Sequence, residues 1–157
     1  MDNLDSIEIP LETHPTKDVI DKHINGKLTV IWRDYDNLIK NHPKMIYVST
    51  VNPKEIKGPH IHTRRESYFV CISGKVMFIL KNNDGTYSQI ESSEDKPILV
   101  HVPKNIASAH INIHDDVSRV LALADIAWKP NDEEMKNTTF DDFDWEKFGI
   151  MMSKDKK

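Results

Sequence analysis

Two of the chain's eight histidines, His60 and His62, stand only two residues apart. A period of two puts both imidazoles on one face of an extended segment. Glu66, Tyr68, Val70 and Ile72 keep the same parity. One strand face is therefore expected to carry two imidazoles, a carboxylate and a phenol before it turns apolar. On a later run, His110 and Asn112 repeat the spacing. Imidazole titrates near neutral pH, so such a cluster can take a proton from a substrate and return it. On an alternating barrel wall these groups would line an interior.

The remaining histidines read differently. His14, His23 and His42 lie in polar stretches and are expected at the surface. His101 has the opposite parity to Val100 and Val102 and is expected to face solvent. His114 precedes Asp115 and Asp116 and reads as a turn residue. Cys71 has no basic residue beside it, which predicts a packed, inert thiol.

The elements that must position these groups are short strands. Residues 27–32, 45–50, 66–73 and 76–80 are rich in β-branched and aromatic types. Asn82, Asn83, Asp84 and Gly85 form a hairpin signal, with 86–90 as the return strand. Residues 97–102 and 109–113 follow. In 117–128 alanine and leucine favour helix, while length and context favour strand. Residues 18–24 read as a short helix and 38–42 as a turn. Many short strands with turns between them predict an all-β sandwich or barrel with short helical or irregular terminal segments. The length of 157 residues fits one domain. Its barrel core is expected over about 27–128 and an acidic tail over 131–157. From 131 to 146 the tail holds seven Asp or Glu against Lys136 alone, yet carries Phe140, Phe143 and Trp145. Those aromatics predict that it packs back on the barrel or on a partner subunit.

Composition narrows the function classes. Lys plus Arg number 21 and Asp plus Glu 25, for a net charge of −4. That argues against nucleic acid as a partner. No apolar run approaches the ~20 residues that span a bilayer. The acidic first residues lack the layout of a signal peptide. A single cysteine excludes an internal disulfide framework and fits the cytoplasm.

Residues 57–66, running on to Gly74, resemble the first motif of the cupins: a His-x-His pair, a following Glu and a closing Gly. Residues 102–105, running on to His110 and Asn112, resemble the second, with Asn105 where a Gly is usual and His110 displaced along the strand. The likeness covers roughly 45–113 and implies a cupin-type jelly-roll β-barrel. Within cupins, residues 45–60 resemble the segment that leads to the catalytic histidine of the dTDP-4-dehydrorhamnose 3,5-epimerases, with Lys57-Gly58-Pro59-His60 in place of Arg-Gly-Leu-His. Residues 125–130 and the stretch through Trp145 resemble that family's late strand and tail. Residues 152–155 echo an element there whose Asp, here Asp155, pairs with the catalytic histidine. The same region resembles the sugar-nucleotide 3,4-ketoisomerases.

The resemblance implies an isomerase or epimerase of a nucleotide-linked 4-keto-6-deoxysugar in surface-polysaccharide biosynthesis. It implies a homodimer and no cofactor. His60 is then the base, His62 a second acid/base, and Lys57 the positive charge near the enolate. Arg64 and Arg65 hold the diphosphate, since guanidinium groups match phosphate oxygens. His110 contacts substrate, and Trp32 or Tyr47 could stack on a ring. The epimerases' late-strand tyrosine is replaced here by Ala122, which leaves Tyr68 as the acid. Two alternatives stay open. One is a metal cupin, a dioxygenase or metal isomerase with a divalent transition metal on His60, His62, Glu66 and His110. The other is a non-catalytic sugar-binding cupin.

Overall fold

The chain folds almost entirely as short strands, described over residues 7–150 of a computed structural model. In order these are β1 (Glu8–Pro10), β2 (Thr13–Lys17), β3 (Ile24–Thr29), β4 (Met45–Val51), β5 (Ile56–His62) and β6 (Ser67–Ser73). They continue with β7 (Lys75–Lys81), β8 (Tyr87–Ser93), β9 (Ile98–Val102), β10 (Ser108–Asn112), β11 (Ser118–Ala124) and β12 (Met135–Asn137). One 3-10 turn, Glu146–Phe148, follows. The stretch read ambiguously at 117–128 is strand β11, because it lies between β4 and β6 and pairs with both. The helix expected at 18–24 is a correction: these residues close the β2–β3 hairpin. There the Asp18 carboxylate takes the Ile20 and Asp21 amide protons and holds a turn in place of a helix.

All pairings are antiparallel. One sheet runs β1-β9-β6-β11-β4 and the other β12-β5-β10-β7-β8, with β2-β3 as a separate two-stranded arm. The two large sheets face each other as a jelly-roll barrel. Between them lie Cys71, Val76, Phe78, Leu80, Ile90, Val100 and Val120. The outer face of the first sheet is buried as well. There Tyr68, Val70, Leu99 and Leu123 pack with Ile9 and Ile39. On the outer face of the second, the acidic tail lays Phe140, Phe143 and Trp145 over Ile79, Ala109 and Ile111. The hydrophobic effect thus holds the tail on the barrel despite its charge.

No helix among the described residues is long and apolar enough to cross a membrane. Gly74 turns β6 into β7 with φ 88°, and a Cβ there would stand 2.2 Å from the Ser118 Oγ. Only glycine fits that corner.

Candidate active site

Strand β5 carries the histidine pair between two neighbours, β10 and β12. Its approach to β10 depends on Gly58, at φ 90°, where a Cβ would stand 2.7 Å from the Ser108 carbonyl oxygen. His60 lies opposite Asn137 and its Nδ1 is 3.0 Å from the Asn137 Oδ1. His62 Nδ1 is 2.8 Å from the Glu134 Oε2 and 3.0 Å from its Oε1. In each case an acceptor oxygen fixes the proton on Nδ1 and leaves Nε2 with the lone pair. Burial lowers the His62 pKa, and this outweighs the Glu134 carboxylate, which raises it. The imidazole is therefore neutral and ready to accept a proton at pH 7.

Glu134 is the centre of the site and is itself buried, 3% exposed. Its carboxylate accepts the Arg65 amide proton at 3.1 Å and lies 3.7 Å from the Arg65 Nε. Its carbonyl accepts the Thr63 amide proton at 2.9 Å. Arg64 bonds Asp132. Both guanidinium groups expected on a diphosphate reach carboxylates of the segment after β11. The fold uses their charge to clamp that segment over the barrel mouth.

Tyr47 on β4 stands directly opposite Ala122 of β11. A phenol therefore stands one strand away from the late-strand position of Ala122. Burial raises the Tyr47 pKa, partly offset by the neighbouring Arg65 guanidinium. Two residues on, the Ser49 Oγ accepts from the Lys57 Nζ at 2.5 Å. His110 lies against Phe78 at 5.2 Å between ring centroids. Its Nε2 is buried and has no hydrogen-bond partner among the described residues. Burial, then Lys57 and His60, push its pKa down to about 4, so it is neutral. A pocket of about 420 Å³ opens above His62, with Tyr47, Arg65 and Glu134 in its lining and Trp128 and Met135 at the rim.

Glu66 and Tyr68 do not join this group, and that is a correction. Strand β5 ends at His62 and residues 63–66 cross to the other sheet, which resets the parity. Arg65 turns inward and Glu66 outward. The Glu66 carboxylate takes a hydrogen bond from the His101 Nε2 at 2.8 Å. Tyr68 stacks on the His101 ring at 4.5 Å, and its oxygen accepts the Lys40 amide proton at 3.0 Å. His101, expected in solvent, is fully buried, because its sheet is covered on both faces. The four-residue metal set is therefore not assembled. Among the described residues, Asp18, Asp21 and His23 alone bring three such donors within 4.8 Å of one another, on the β2–β3 turn. His60, His62, Glu66 and His110 do not fit a metal ion as placed.

Asn105, standing where the motif has glycine, adopts φ 66°, which asparagine tolerates. Its amide donates to the His62 carbonyl at 2.7 Å, tying the second motif to the first. His14, His23, His42 and His114 are exposed and Cys71 is buried, each as expected. Half-buried Trp32 packs on His42 at 5.4 Å between centroids. Asp155 lies outside the described residues. Sequence reasoning passed over Glu134 and Asn137 altogether. Their one signal was polar residues inside an aromatic-bearing tail expected to pack on the barrel.

A jelly-roll barrel with a His-x-His strand at its mouth defines the chain as a cupin. Within that class the model of the FdtA family, described as WxcM-like, C-terminal, matches residues 10–144, and the chain belongs to this family. Its fold is similar to that of a dTDP sugar isomerase from Desulfovibrio desulfuricans G20, at 18% identity over 88% of each chain with a TM-score of 0.74. It is also similar to QdtA, a sugar 3,4-ketoisomerase from Thermoanaerobacterium thermosaccharolyticum, solved in complex with TDP. There the identity is 22% over 82% of this chain and 88% of that one, with a TM-score of 0.60. The capsular polysaccharide assembling protein CapF from Staphylococcus aureus matches at 19% identity and a TM-score of 0.58. That match covers 62% of this chain but 29% of CapF, so the chain spans less than a third of that relative's length. No curated protein matches the chain.

Proposed function

We propose that the chain is a sugar-nucleotide isomerase that moves a proton, and with it a carbonyl or a stereocentre, beside the ketone of a nucleotide-linked 4-keto-6-deoxysugar. The observation that carries this reading is the His62–Glu134 pair, 2.8 Å apart on the wall of a pocket at the barrel mouth. A C–H beside a ketone is acidic enough for a neutral imidazole to remove its proton, provided the enolate oxygen is stabilised. His62 is the base in this scheme, in the place expected for His60. Glu134 holds its tautomer and stabilises the imidazolium that forms.

His60, with its proton held on Nδ1 by Asn137, is the second acid/base group, on the same strand face. Tyr47 is the acid, taking the place expected for Tyr68. Lys57 supplies positive charge toward the enolate. The chemistry closes without a cofactor, because the proton taken from carbon is returned to the enediol. Family membership, with dTDP-sugar isomerases among similar folds, supports nucleotide-sugar as the substrate class. A homodimer in the cytoplasm, serving surface-polysaccharide synthesis, completes the proposal.

The test is to incubate the protein with dTDP-4-keto-6-deoxyglucose in D2O and follow the sugar by NMR. Deuterium at a carbon next to the ketone, lost in His62→Asn, is the expected result. No exchange and no product at any carbon would leave the non-catalytic sugar-binding cupin as the better reading.

A further inference from the structure

Part of the pocket above His62 plays no role in that proton chemistry. Trp128 stands at its rim with 63% of its surface exposed, and Met135 beside it is 48% exposed. Indoles are highly buried on average, so one left open on a concave wall marks a contact waiting for a ligand. Around it the lining holds Asp132, Glu133 and Glu134; Arg64 pairs with Asp132 and Arg65 with Glu134, which leaves one net negative charge, at Glu133. His62 adds no positive charge. Such a field repels a phosphate. It suits hydroxyl groups, which donate to carboxylates.

The segment is held in this shape rather than left loose. Asn131 and Glu133 both take left-handed backbone conformations, at φ 61° and φ 53°. For Glu133 that costs on the order of 1 kcal/mol and persists only where the surroundings impose it. The Arg64–Asp132 and Arg65–Glu134 pairs impose it here. An indole face, the thioethers of Met45 and Met135 and a ring of acceptors complement a pyranose, which has an apolar C–H face and hydroxyls around its edge. They do not complement a diphosphate.

We infer that Trp128 is the stacking platform for the sugar ring, and that this pocket receives the sugar while the nucleoside diphosphate lies outside it. The inference rests on the nucleotide-sugar reading above and assigns that substrate's two ends.

The experiment compares Trp128→Ala and Trp128→Phe with the unmodified protein by calorimetry. The probes are two matched pairs, dTDP-glucose with dTDP and UDP-glucose with UDP. Circular dichroism checks that the variants fold, as expected for an exposed position. Trp128→Ala should weaken the nucleotide sugar of the better-bound pair about tenfold, and Trp128→Phe only about twofold. The matching nucleoside diphosphate should change less than twofold in both. Equal loss for nucleotide sugar and diphosphate would place the nucleobase on Trp128 and overturn the inference. So would unchanged binding of all four probes. Unmodified protein that binds none of them would overturn the nucleotide-sugar reading itself, a result distinct from either.

Discussion

Replacing Glu134 by Gln keeps the shape of the side chain and removes its charge. In the native protein its carboxylate accepts from the His62 Nδ1 at 2.8 Å and faces the buried Arg65 Nε at 3.7 Å. A hydrogen bond to a charged group is worth about 1.5–3 kcal/mol. If that difference is expressed when His62 becomes an imidazolium, the barrier rises by the same amount. At roughly 1.4 kcal/mol per tenfold, kcat falls about ten- to a hundredfold. KM should move little, because the neutral imidazole keeps an acceptor.

The pH profile gives an independent sign. Burial already lowers the His62 pKa, and Glu134 is the group that raises it. Removing that charge lowers the pKa further, so the acid limb of kcat/KM moves to lower pH while the plateau drops. The assay is deuterium exchange at the carbon beside the ketone, followed by NMR across pH 4–9, a range of about five units that brackets histidine. Arg65 also loses its counter-charge, so the unfolding midpoint should fall, by the equivalent of a few kcal/mol at most. Exchange within threefold of the native rate, with an unmoved acid limb, would refute the role given to the pair. A Glu134→Gln protein that unfolds early yet exchanges normally would make Glu134 a clamp for Arg65 and nothing more.

Other outcomes follow from the same geometry. Tyr47→Phe should lower kcat about a hundredfold with a small change in KM, whereas Tyr68→Phe should leave kcat within a few-fold; the reverse pattern would put the acid on the wrong strand. Trp145→Ala should cost about 3–5 kcal/mol in urea unfolding, since its ring is 5% exposed against the second sheet, and a loss under 1 kcal/mol would show the tail to be loosely held. Burial pushes the Cys71 thiol up to about 11, so folded protein at pH 8 should react with a disulfide reagent only as fast as it unfolds.

The barrel was legible because its core strands are short apolar runs bounded by turn residues. Residues 45–50, 76–80 and 97–102 announce β4, β7 and β9 through β-branched runs alone. Strand β5 was legible only through its histidines, since Lys57, Gly58 and Pro59 carry no strand propensity. Strand β12 was not legible at all. Met135, Lys136 and Asn137 become a strand because β5 offers them an edge, a condition set 72 residues away between His62 and Glu134.

The one systematic error came from carrying parity across residues 63–66. Parity holds only while the chain stays extended in one sheet. These four residues leave one sheet and enter the other, and the shift sends Arg65 inside and Glu66 outside. The consequence is two His–Glu pairs, His101–Glu66 on the first sheet and His62–Glu134 at the edge of the second. His101 and Glu66 are sealed between Tyr68 and the segment carrying Lys40. His62 and Glu134 open onto a pocket. The two pairs have the same 2.8 Å geometry. Access to a pocket therefore separates the two pairs. No pattern in the sequence distinguishes them, because access depends on which sheet face the strap of residues 31–44 covers and which the segment after β11 leaves open.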